Sequence, residues 1–147
     1  VKVLTNYLAS INLLAIGEVL MICKKYNLDL KATYEAIRVS SGNSFVHTSE
    51  GQLILSRSFD AQFTMDLICK DLGLVEKLRN KFDIPSKLIP IVQSIFIEGK
   101  KKLGEREFST AIIKLLEQHC SEKLSSTYFP KQLIDNQPRR KGIEIKS

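Results

Sequence analysis

Apolar side chains dominate positions 1–26, where Glu18 is the only charged residue between Lys2 and Lys24 and Asn6, Ser10 and Asn12 are the main polar interruptions. The stretch holds no proline and one glycine, Gly17. It therefore predicts a helix on the order of 35–40 Å long at ~1.5 Å per residue. Lys24 and Lys25 suit the negative end of its dipole, and Asn27 suits a left-handed cap. Asp29 is positioned to cap a second helix over 30–39, which carries Leu30, Ala32, Ala36 and Ile37 at helical spacing. The run Ser40-Ser41-Gly42-Asn43-Ser44 interrupts it, with Gly42 supplying backbone freedom and Ser44 a cap for the next helix. That third helix, over 45–55, is weakened by Thr48, Ser49 and Gly51.

Positions 56–62 read as a polar loop pinned by Phe59. A fourth helix over 63–80 places Phe63, Leu67, Leu74 and Leu78 on one stripe, widened by Ile68, Leu72 and Val75. Pro85 stops it, because the residue before a proline avoids helical backbone. A fifth helix starts near Ser86 and carries Leu88, Ile89, Val92, Ile95 and Phe96 as far as Gly99 and Gly104. Ser109 reads as the N-cap of a last helix over 110–124, through Ile112, Ile113, Leu115 and Leu116. From Ser125 the periodicity fails, although Tyr128-Phe129 and Leu133-Ile134 are apolar enough to dock. Sustained alternation of β-branched residues is absent, so the pattern predicts an all-α bundle of six to seven helices around the opening one.

Composition changes this picture little. A chain of 147 residues fits one domain able to bury roughly two thirds of the surface it exposes unfolded. Its 44% hydrophobic and 26% charged residues are ordinary for a globular protein. The net charge of +6 invites a nucleic-acid reading, but its distribution argues otherwise. Lys123, Lys131, Arg139, Arg140, Lys141 and Lys146 face only Asp135 and Glu144, so most of the excess lies in residues 123–147. The domain division expected is a helical body over 1–124 and a basic, weakly structured tail over 125–147. A solvated tail is the preferred reading over a nucleic-acid arm.

Cys23, Cys69 and Cys120 are odd in number and widely spaced, which suits reduced, buried packing residues in a cytoplasmic protein; no metal site is expected. The opening stretch could be a signal or membrane segment, but its Asn, Ser, Thr and Glu residues favour a core helix and no membrane partner. Glu18, set in that apolar stretch, is expected to be buried in a structural ion pair. No capping side chain precedes Lys2, and the sequence reads as a piece with a partner domain expected upstream.

Lys2 and Asn6 are four residues apart, so a helix stacks them on one face at its first turn. A cation beside an amide at the mouth of an apolar helix is the first candidate chemistry. Three more patterns come after it in order: Ser41-Gly42-Asn43-Ser44; Phe63 ahead of Lys70-Asp71-Leu72-Gly73-Leu74; and Gly104-Glu105-Arg106-Glu107-Phe108-Ser109. Together with Lys2-Val3-Leu4-Thr5-Asn6 this set resembles the C-terminal helical domain of the β-hydroxyacid dehydrogenases. That family includes 3-hydroxyisobutyrate dehydrogenase and tartronate semialdehyde reductase, with a C-terminal domain like that of 6-phosphogluconate dehydrogenase. The resemblance covers about residues 1–123.

The resemblance implies an NAD(P)-dependent oxidoreductase moving hydride between a short 3-hydroxyacid and its semialdehyde. It implies Lys2 as general acid/base, Asn6 as substrate ligand, and Lys70 and Phe63 as contacts to NAD or NADP. The family's Rossmann domain, glycine fingerprint and Ser-Gly-Gly loop are absent from this sequence, so most cofactor contacts would come from the missing domain and the chain alone is expected to be inactive. A homodimer or tetramer is the implied assembly. Read from the residues alone, Lys2 is more readily a surface lysine, the Lys70-Asp71 pair a solvated helix face and Phe63 a packing aromatic; the alternative for the whole is a non-catalytic helical dimerisation or binding module.

Overall fold

The computed structural model describes residues 1–133, and these contain seven α-helices and one 3-10 turn, with no strands. The α1 helix (Lys2–Lys25) contacts α2 (Leu30–Arg38), α3 (Phe45–Thr48), α4 (Glu50–Leu55), α5 (Met65–Lys81), α6 (Leu88–Leu103) and α7 (Ile113–Cys120). It is long and apolar enough to span a membrane, yet it forms the axis of a bundle and buries Leu13, Ile16, Leu20 and Met21 in the shared core. An all-α architecture around one long opening helix is thus what the described residues adopt.

Several boundaries follow local chemistry. Asn27 adopts φ 58 after α1, where an amide side chain tolerates the left-handed region. The Asp29 side chain accepts from the Ala32 N–H at 2.7 Å, and Ser44 Oγ accepts from the His47 N–H at 3.0 Å. Each satisfies a donor that the first helical turn leaves unpaired.

Other boundaries differ from the sequence expectation. The third helix is two short ones broken at Ser49, so Glu50 begins a helix of its own. The fourth begins at Met65, leaving Phe63 in extended chain before it. Its buried face is Met65, Ile68, Asp71, Leu72 and Val75, whereas Leu67 and Leu74 remain 37% and 41% exposed. Apolar residues occupy more than one side of α5, and which side faces inward depends on where α1 and α6 pack. The expected cap at Ser109 is not formed: Ser109 opens the 3-10 turn Ser109–Ile112, and α7 comes directly after it.

Glu18 is exposed and makes no salt bridge among the described residues, which corrects the expected buried ion pair; the residue lies opposite the packed face of α1. The three cysteines are half-buried free thiols packed against the core.

Beyond α7 the chain remains part of the body. Leu124 is fully buried, Phe129 packs edge-on against Tyr34 with centroids 4.7 Å apart, and the Ser126 N–H donates to the Leu55 carbonyl at 2.7 Å. Arg57 bonds the buried Glu117 carboxylate, which also accepts from the Leu124 N–H at 2.6 Å. The segment 125–133 therefore lacks regular structure but is docked by its apolar residues. The remainder of the expected basic tail, including Ile134, lies outside the described residues.

Candidate active-site cleft

A cleft of about 290 Å³ opens at the first turn of α1. Its walls are Lys2, Asn6, Ala9, Ser10 and Leu13 from α1, Glu50 from α4, Ile68 from α5, Phe63 from the loop before α5, and Ser109 from the 3-10 turn. The volume lies near the lower end for small-molecule pockets and suits an acid of a few carbons.

Lys2 and Asn6 reach the cleft because helical geometry stacks i and i+4. Thr5 Oγ1 donates to the Lys2 carbonyl at 2.7 Å, and Ser10 Oγ donates to the Asn6 carbonyl at 2.7 Å. Both bonds hold the first turns of a helix that begins without a side-chain cap. Asn6 is fixed from across the interface: its Nδ2 donates to Asp71 Oδ2 at 2.7 Å. The amide N–H donates to a carboxyl oxygen, so this bond orients the amide and leaves Oδ1 and the second N–H for another partner. Asp71 is 7% exposed, and a buried carboxylate makes this orientation costly to reverse.

Phe63 and Ser109 are brought in by a short clamp. The Ser109 N–H donates to the Phe63 carbonyl, and the Met65 N–H to the Glu107 carbonyl, both at 2.8 Å. Thr64 and Phe108 form an antiparallel bridge between the same segments. Phe63 thus lines the cleft from a loop and not from a helix stripe two turns from Lys70. Lys70 is exposed on α5 and is not a wall residue of this cleft.

Glu50 is the residue that sequence reasoning missed. Its half-buried carboxyl has no hydrogen-bond or salt-bridge partner among the described residues, and burial alone pushes its pKa up to about 7. The position carried no warning, since an acid next to a glycine in a weak helix reads as surface. His47, one turn earlier, is fully buried; Nε2 meets the Tyr34 carbonyl at 2.9 Å, and burial lowers its pKa. It does not line this cleft. Among the described residues no cluster of His, Cys, Asp or Glu could hold a metal ion.

The class of the fold emerges from solved structures. The body superimposes on a 3-hydroxyisobutyrate dehydrogenase from Salmonella typhimurium with a TM-score of 0.71 at 22% identity, covering 78% of this chain and 40% of that one. A 3-hydroxyisobutyrate dehydrogenase of Mycobacterium tuberculosis described with L-serine gives a TM-score of 0.69 at 20% identity, covering 78% and 42%. At these identities the likeness is one of fold: an all-helical body of the kind found in hydroxyacid dehydrogenases.

The particular family comes from sequence. A family profile described as NAD-binding of NADP-dependent 3-hydroxyisobutyrate dehydrogenase matches residues 1–116, and the chain belongs to that family. A 2-(hydroxymethyl)glutarate dehydrogenase of Eubacterium barkeri is 33% identical over 127 residues, covering 85% of this chain and 42% of that protein. An L-threonate dehydrogenase of Haemophilus influenzae is 24% identical over 115 residues, covering 78% and 38%. The chain therefore spans about two fifths of the length of these curated relatives.

A cleft of about 290 Å³ is too small to enclose a whole nicotinamide dinucleotide, and no glycine-rich phosphate loop occurs among the described residues.

Proposed function

We propose that this chain is the C-terminal helical part of an NAD(P)-dependent oxidoreductase that interconverts a short 3-hydroxyacid and its semialdehyde. The carrying observation is the meeting of Lys2 with an Asn6 amide that Asp71 holds in one orientation, both on the wall of a single small cleft. In this reading the cofactor accepts or donates the hydride and is bound mainly by a Rossmann domain preceding this chain.

Lys2 handles the proton. As an amine, its Nζ takes the proton of the substrate hydroxyl; as an ammonium, it returns that proton and stabilises developing alkoxide charge. Asn6 aligns the reacting alcohol one turn away, offering the amide groups that Asp71 leaves available. Phe63, Leu13 and Ile68 supply an apolar wall that excludes water. Lys70, exposed outside the cleft, would offer its cation to the phosphates or ribose of the cofactor.

The test uses the full-length protein with short 3-hydroxyacids and both nicotinamide cofactors. Lys2→Ala is expected to lower kcat by roughly 10²–10⁴-fold, the range for a positioned acid/base, while leaving cofactor affinity largely intact. Normal turnover by Lys2→Ala would exclude the assigned role. The 147-residue chain by itself is expected to show no turnover, and the full-length protein to be cytoplasmic.

A second reading, a non-catalytic helical dimerisation module, is favoured by a different observation. Leu4, Leu8, Val19, Ile22 and Tyr26 line one exposed side of α1. Self-association without any reductase activity in the full-length protein would favour that reading over the first.

A further inference from the structure

The catalytic end of the cleft is accounted for by Lys2 and Asn6, but its wall also carries an acid that the proton-transfer scheme does not use. Glu50 is contributed by α4, which packs against α1, so the wall receives it from a different element than Lys2 and Asn6; the residue also borders a neighbouring groove with Asp60 and Gln62. The same wall carries Ala9, Leu13, Phe63 and Ile68, which have no side-chain donor, and Lys2, Asn6, Ser10 and Ser109, which do; Asn6 bonds Asp71 and Ser10 bonds the Asn6 carbonyl, and none of the four bonds Glu50 in this structure. Glu50 makes no salt bridge with Lys2, and no nearby charge contributes to its raised pKa. A carboxylate in a partly apolar wall without a bonded protein partner is costly to ionise, and a donor brought by a ligand lowers that cost.

We propose that Glu50 is a specificity-determining residue that selects 3-hydroxyacids carrying an additional hydrogen-bond donor, a hydroxyl or an ammonium, on the part of the molecule away from the reacting alcohol. This rests on the dehydrogenase reading above and names its substrate class. A hydroxylated or aminated acid supplies Glu50 with the partner it lacks. An alkyl-substituted acid leaves the carboxylate without that partner. A second carboxylate in the same place meets like charge in an apolar setting, where repulsion is weakly screened. The wall is therefore selective in both directions: it favours one polarity and penalises two alternatives. Ser10 and Ser109, both buried on the same wall, are hydroxyls able to add to the recognition of a polar ligand.

The experiment compares kcat/KM of the full-length protein on L-threonate, 3-hydroxyisobutyrate and 2-(hydroxymethyl)glutarate, in wild type, Glu50→Gln and Glu50→Leu. Wild type is expected to prefer L-threonate by about tenfold or more, since a site built to bond a substrate hydroxyl discriminates strongly against its absence. Glu50→Leu is expected to reverse the order, losing roughly 10- to 100-fold on L-threonate and gaining on 3-hydroxyisobutyrate. Glu50→Gln keeps an acceptor but no charge, so it should retain part of the L-threonate preference and gain on the dicarboxylate.

An unchanged order of substrates in Glu50→Leu would overturn the proposal while leaving the dehydrogenase reading standing. Absence of turnover with every acid would overturn the dehydrogenase reading instead, and the role of Glu50 is then read from binding. With the glutamate side-chain carboxyls labelled with ¹³C, L-threonate should shift the Glu50 resonance and 3-hydroxyisobutyrate should not. Equal response to both acids, or response to neither, would count against Glu50 as the selecting group.

Discussion

At the scale of single residues, the cleft joins groups whose chemistry is local with one whose chemistry is imposed. Lys2 and Asn6 derive their relation from four residues of helix, whereas Glu50 derives its character from what surrounds it. Its pKa of about 7 in the folded protein lies above the ordinary 4.5, so the native state holds a proton that the unfolded chain releases. Stability is then expected to fall as pH rises from about 4.5 to about 7. The ionised form carries a cost of order 3 kcal/mol, because each tenfold change in proton affinity is worth about 1.4 kcal/mol. Glu50→Gln should remove this slope and raise stability above about pH 7, measurable by urea denaturation across pH; an unchanged slope would mean that the carboxyl is solvated. His47 slopes the other way: a folded pKa below 6.5 makes stability fall as pH drops below that value.

Between elements, packing is set by close approach at glycines. A Cβ on Gly17 would lie 2.3 Å from Ile113 Cδ1, and one on Gly99 would lie 2.4 Å from Ile112 Cδ1. These two glycines let α1 and α6 approach consecutive isoleucines at the junction of the 3-10 turn and α7. Gly17→Ala gains about 1 kcal/mol of helix propensity but forces a fully buried Ile113 off its rotamer, a cost of roughly 1–3 kcal/mol. The net expectation is a loss of about 1 kcal/mol. Ile113→Val deletes the clashing Cδ1 at a cost of roughly 0.5–1.5 kcal/mol. The double variant should therefore be more stable than the sum of the two losses, and simple additivity would show that the contact does not limit packing.

For the molecule as a whole, two surfaces decide more than the helices themselves. The first is the segment after α7, where Phe129 sits against Tyr34, and Lys31 lies 3.7 Å from the Tyr128 ring centroid. Phe129→Ala is expected to lose about 3 kcal/mol, the usual scale for a buried aromatic, so this part of the chain belongs to the folding unit. A loss below about 0.5 kcal/mol, the scale of a surface change, would mean that the segment is only resting on the body. The second is the outer side of α1, where Leu8 and Ile22 are each 58% exposed. An apolar stripe on the longest helix is expected to make the chain self-associate, with Leu8→Glu plus Ile22→Glu returning it to a monomer by light scattering. A wild-type chain that remains monomeric at high micromolar concentration would leave that stripe without a self-partner.

The sequence by itself determined what depends on neighbours along the chain. It specified the long opening helix, the caps at Asp29 and Ser44, the left-handed Asn27 and the all-helical class. The stacking of Lys2 over Asn6 belongs with these, because caps and i, i+4 relations span one turn and need nothing else. The ordered motifs of residues 1–109 pointed to the family that the profile match establishes. Tertiary structure alone decided which apolar side of α5 turns inward, because a helix with apolar residues on two sides has no periodic signal to choose between them. It also decided that Phe63 reaches the cleft from a loop clamped to residues 105–109, and that Asp71 orients Asn6 from 65 residues away. Glu50 is the sharpest case: an acid of ordinary sequence context becomes an unpaired cleft residue only when α1, α4 and α5 close around it, since burial, not sequence neighbourhood, raises the cost of its charge.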